Sequence, residues 1–89
     1  MEIEFAPDLS HCIQTLARRE HERITRQLLE SNEVDVNLHQ RLELLRMFLE
    51  SANFGKLRGE YEKHLLEGKR IRFFVQAIDG QVKYKTEIS

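Results

Sequence analysis

Four histidines and one cysteine are the residues of this 89-residue chain best suited to ligating a metal or attacking a substrate. Their spacing favours neither. His11, His21, His39 and His64 form no helical pair at i, i+4, and His21-Glu22-Arg23-Ile24-Thr25 lacks the second histidine of a helical zinc box. His11 and Cys12 are adjacent, so on a helix their side chains diverge by ~100° and cannot address one ion without help from elsewhere. Cys12 as a nucleophile would need a base and an orienting group, and the sequence names neither. It reads instead as a small apolar residue near the core.

Phosphate and acid-base chemistry fare similarly. Gly55 and Gly59 in Phe54-Gly55-Lys56-Leu57-Arg58-Gly59 follow a helical stripe rather than a strand and lack the terminal Lys-Ser/Thr of a phosphate loop, which favours a turn or close helix packing. Glu60 and Glu62 read as solvated helix charges rather than a glycosidase pair. No GxGxxG or GxSxG pattern is present. The chain is therefore expected to have no catalytic residue, no cofactor and no metal.

Those side chains must be positioned by a small set of elements, the clearest of them at the C-terminus. Asp79-Gly80 separates two β-rich runs, as a two-residue type I′ hairpin turn requires, because both central residues adopt positive φ. The turn sets a register in which Ile78 faces Gln81, Ala77 Val82, Val75 Tyr84, Phe73 Thr86 and Ile71 Ile88. Arg72 with Glu87, Phe74 with Lys85 and Gln76 with Lys83 then fall on the opposite face.

A lone hairpin is marginal in water, so helices must cover its apolar face. Leu9, Ile13, Leu16, Ala17, Ile24 and Leu28 predict an amphipathic helix over about 9–30, ended by Ser31-Asn32. Asn37, with Gln40 three residues on, predicts the next N-cap, and Leu38, Leu42, Leu45, Leu49 and Ala52 form a second stripe. Asn53-Phe54-Gly55 predicts a bend or split in that second arm, and Gly68 a C-cap before Lys69-Arg70. Glu2-Ile3-Glu4-Phe5 alternates with period two, so Ile3 and Phe5 are read as a short third strand with Glu2 and Glu4 near Lys83 and Lys85. The expected fold is one α+β domain over residues 1–89, an antiparallel helical hairpin packed on a C-terminal β-hairpin.

Composition narrows the class of function. The 14 Lys+Arg and 15 Asp+Glu leave a net charge of -1, distributed as -4 over residues 1–53 and +3 over residues 54–89. Glu2 and Glu4 stand where a secretory leader would be cationic and then apolar, and no apolar run approaches the ~20 residues of a membrane span. With one cysteine, the expectation is a reduced, cytoplasmic protein. Helices followed by a basic ribbon are the order of a winged helix-turn-helix module, with Lys56, Arg58, Lys63 and Arg72 as its nucleic-acid contacts. Five acids interrupt that region, which disfavours phosphate binding.

The favoured reading is a non-enzymatic interaction module that works as a homodimer. A chain of this size buries only ~60% of its unfolded surface, and a hairpin edge leaves backbone groups unpaired. Phe74 and Ile78 on the outward hairpin face, with Leu44 and Leu66 off the helix stripes, are the expected contacts. Arg19, Arg23 and Arg26 are expected to pair with Glu43 and Glu50 of the neighbouring helix.

Overall fold

The computed structural model describes residues 1–31 and 34–89. Its order is β1 (Glu2–Phe5), α1 (Ile13–Glu30), α2 (Val36–Ser51), α3 (Phe54–Leu66), β2 (Ile71–Ile78) and β3 (Gln81–Ile88), an α+β architecture. The antiparallel sheet runs β1-β2-β3, with the helices on one face.

The hairpin takes the register set by its turn, from Ile78 opposite Gln81 to Ile71 opposite Ile88. Asp79 and Gly80 have φ of 52° and 74°, the left-handed pair that a type I′ turn needs. The third strand also forms, with Ile3 opposite Val75 and Phe5 opposite Phe73. It lies beside β2, so the expected approach of Glu2 and Glu4 to Lys83 and Lys85 is not made. Glu4 instead accepts a 2.6 Å hydrogen bond from Arg72, and Phe74 stands between Glu4 and Lys85 in the cross-strand row.

Helix α1 starts later than the apolar spacing predicts. The Asp8 carboxylate accepts the backbone N–H groups of Ser10 and His11 at 2.8 and 2.7 Å, closing a turn that competes with a helical start and leaves Leu9 exposed. The N-cap of α2 is Asp35, whose side chain accepts the Leu38 N–H at 3.1 Å, so Asn37 lies inside the first turn rather than capping it. The end expected at Ser31-Asn32 is met at Ser31, the C-cap of α1; Asn32 lies outside the described residues.

The second arm does split. Asn53 caps α3 by accepting the Lys56 N–H at 3.0 Å. Its far end closes with Gly68 at φ 82°, where the Gly68 and Lys69 N–H groups donate to the Leu65 and His64 carbonyls in a Schellman arrangement.

Ile3, Phe5, Phe73 and Val75 meet Ile13, Ala17, Ile24, Leu45, Leu57 and Tyr61 in the core, with Phe48 at its aromatic centre. The Phe48 ring lies 5.2 Å from Phe54, edge-on, 5.8 Å from Phe73 and 6.2 Å from Tyr84. Leu44, expected on the surface, is only 3% exposed and belongs to this core. Because α2 touches α1 on one flank and the sheet on the other, its apolar arc is wider than the single stripe through Leu38 and Leu45. The expected pairing between helix rows is also replaced: Arg23 pairs with Glu20, Arg41 reaches Glu20 across the helices at 3.4 Å, and Glu43 and Glu50 pair with Arg46 of their own helix. No described helix is long and apolar enough to cross a membrane.

Candidate interaction surface

Helices bury the inner side chains of β1 and most of those of β2, but cover β3 only in part. Ile71, Phe73 and Val75 are buried, whereas their partners on β3 are open: Ile88 is 44% exposed, Thr86 is exposed and Tyr84 is 48% exposed, and only Val82, opposite Ala77, is half-buried. Tyr84 stacks on Phe73 with centroids 5.5 Å apart, so its inner flank continues the core while its outer flank remains open. Thr86, between Tyr84 and Ile88 on the same face, is exposed as well.

The backbone of β3 is equally one-sided. Arg70 and Ser89 exchange both backbone hydrogen bonds, at 2.8 and 3.0 Å. In an antiparallel ladder such pairs recur at every second position, so Glu87, Lys85, Lys83 and Gln81 spend their N–H and C=O groups on β2. Those of Val82, Tyr84, Thr86 and Ile88 point away from the sheet. The opposite edge, β1, is half as long and carries Glu2 and Glu4, features that discourage pairing.

The expected contact residues occupy different settings. Phe74 does lie on the outward face, but it is only 8% exposed: the Arg72 guanidinium and the Lys85 ammonium sit 5.2 and 5.0 Å from its ring centroid. Ile78 at the hairpin tip and Leu66 at the end of α3 are exposed. Leu44, though buried, contributes to the wall of an apolar groove of about 510 Å³ with Met1, Val34, Val36 and Met47. Tyr84 and Ile88 were not among the expected contacts, because their inward alternation implied a helical cover.

The basic residues of the winged-helix alternative do not form one patch. Lys56, Arg58 and Lys63 lie on α3, and Arg58 is 3.3 Å from Glu62. Arg72 lies on the sheet face turned away from the helices, held by Glu4 and, at 3.5 Å, by Glu87. Among the described residues no cluster of three His, Cys, Asp or Glu side chains could hold a metal.

Cys12 immediately precedes α1 and borders a polar cleft with Asp8, Thr15, Arg58 and Tyr61. The Thr15 hydroxyl lies 3.2 Å from its sulfur and, with the Thr15 backbone N–H, draws the thiol below its usual pKa. A neighbouring contact, His11 Nδ1 with the Asp8 carboxylate at 3.1 Å, belongs to the turn that precedes the helix.

A protein-family model matches residues 1–86, and the chain belongs to that family. The match takes in both sheet edges and all three helices. No curated protein and no solved structure matches.

Proposed function

We propose that this protein is a non-enzymatic protein-protein interaction module that works as a homodimer in the cytoplasm. The observation that carries the reading is the edge of β3, an eight-residue strand in which Val82, Tyr84, Thr86 and Ile88 turn their backbone groups outward beside the open flanks of Tyr84 and Ile88. An exposed edge of that length is a template for another strand, and its lysines restrict which strand can pair with it. A second copy is the partner that always meets the chain at its own concentration, and a two-fold contact needs only one patch that complements itself. The free thiol of Cys12 suits a reducing compartment.

Sedimentation velocity across a dilution series tests the proposal. The expected result is a concentration-dependent shift from the 10.6 kDa monomer to twice that mass. A species of monomer mass at every concentration overturns it.

A further inference from the structure

We propose that two copies join through antiparallel β3 strands about a two-fold axis at Thr86, making a continuous sheet in which Lys85 of each copy faces Glu87 of the other. This inference rests on the homodimer reading and specifies its register.

Backbone geometry restricts the choices first. The outward N–H and C=O groups belong to Val82, Tyr84, Thr86 and Ile88, so a two-fold pair must set even-numbered residues opposite even-numbered ones. That also keeps inner side chains facing inner and outer facing outer, whereas a one-residue slip would mix the two faces.

Charge then selects among the remaining registers. An axis at Lys85 opposes that lysine with its own copy, an axis at Tyr84 sets Lys83 against Lys85 twice, and an axis at Glu87 opposes two carboxylates. Like charges directly opposite each other are destabilising in a sheet. An axis at Thr86 avoids all three conflicts, pairing Lys85 with Glu87 twice on the outer face.

The inner face of this register is complementary as well. Ile88 stands opposite Tyr84 in both halves, and Thr86 meets Thr86 between them. The two exposed large apolar side chains on the inner face of β3 thus cover each other, and the pair extends the Phe48, Phe73 and Tyr84 aromatic cluster toward the new strand. Glu87 has Arg72 at 3.5 Å and its own Lys85 at 4.0 Å, both at the outer limit of an ion pair, so its carboxylate is loosely held and can be shared with the lysine of the second copy. Lys83 and Lys85, which guard an edge against indiscriminate pairing, here act as a filter for one partner in one register.

Cysteine cross-linking tests the geometry. In a Cys12→Ser background, Thr86→Cys is expected to form a disulfide-linked dimer under mild oxidation at least about tenfold faster than Gln81→Cys, because facing residues across an antiparallel pair come within disulfide reach. Faster linking by Lys85→Cys than by Thr86→Cys, in a chain that still sediments as a dimer, overturns the register and leaves the homodimer standing. A chain that stays monomeric overturns both.

Charge exchange supplies an independent readout by sedimentation. Lys85→Glu and Glu87→Lys should each weaken the dimer about tenfold, since each turns two attractive pairs into repulsive ones. Combining them restores the attraction and should return the dissociation constant to within about threefold of the parent. A double variant no better than the singles, with circular dichroism showing all three folded, overturns the pairing.

Discussion

The phenol oxygen of Tyr61 accepts the backbone N–H of Ile13 at 3.2 Å, tying α3 to the first turn of α1 across 48 residues of chain. Ile13 is buried, and the first N–H groups of a helix have no partner within it. One side chain therefore fills a core position and completes a distant helix start. Tyr61→Phe keeps the ring and removes the acceptor, so stability should fall by about 1–2 kcal/mol. Urea unfolding is expected to show a lower midpoint with an unchanged slope.

Two glycines should respond oppositely to the same methyl group. Gly59 lies inside α3 and a Cβ there would meet open space, so Gly59→Ala should stabilise the fold by about 0.5–1 kcal/mol. Gly80 has φ 74° in the hairpin turn, where Gly80→Ala should cost about 1 kcal/mol despite equally open surroundings. Thermal unfolding of the two variants would separate backbone conformation from packing, since neither methyl meets a neighbour.

The Thr15 hydroxyl beside the Cys12 sulfur predicts a thiol that ionises more readily than that of a free cysteine. Thr15 stabilises the thiolate, so a larger fraction is ionised at neutral pH than in a free cysteine. Alkylation by iodoacetamide should begin to accelerate at lower pH than for a model peptide. Thr15→Val should move that rise toward higher pH. An identical pH profile in the two proteins would assign the reactivity to exposure alone.

Glu20 sets an acid limit on stability. Its carboxylate is held below the usual range first by the hydrogen bond from Arg23, and further by Arg41 of α2. A depressed folded-state pKa stabilises the protein above the unfolded value, ~4.3, and that contribution disappears as pH falls through the folded value. Glu20→Gln should therefore be less stable than the parent at neutral pH, and the difference should shrink in increasingly acidic buffer. Urea midpoints taken across that range measure it.

The hairpin, the split at Asn53 and the α+β class were legible because each rests on local chemistry. Asp79-Gly80 admits one turn, and the alternation on both sides agrees with it. Leu44 was not legible, since its burial depends on α2 touching α1 and the sheet together, a relation absent from the spacing of one helix. Asn37 lost the cap to Asp35, two residues earlier, because either side chain satisfies the local rule and residue type alone does not choose between them. The exposure of Tyr84 was hidden for a similar reason: period two reveals which face a side chain occupies, but not whether the helical layer extends to the third strand.

The two sheet edges differ in length and charge, and that asymmetry acts as a valence. A subunit with two receptive edges can add neighbours indefinitely and is the unit of a fibre. With Glu2 and Glu4 along the short β1 edge, the pairing proposed for β3 would occupy the one long edge of the described sheet and so end its growth at two copies.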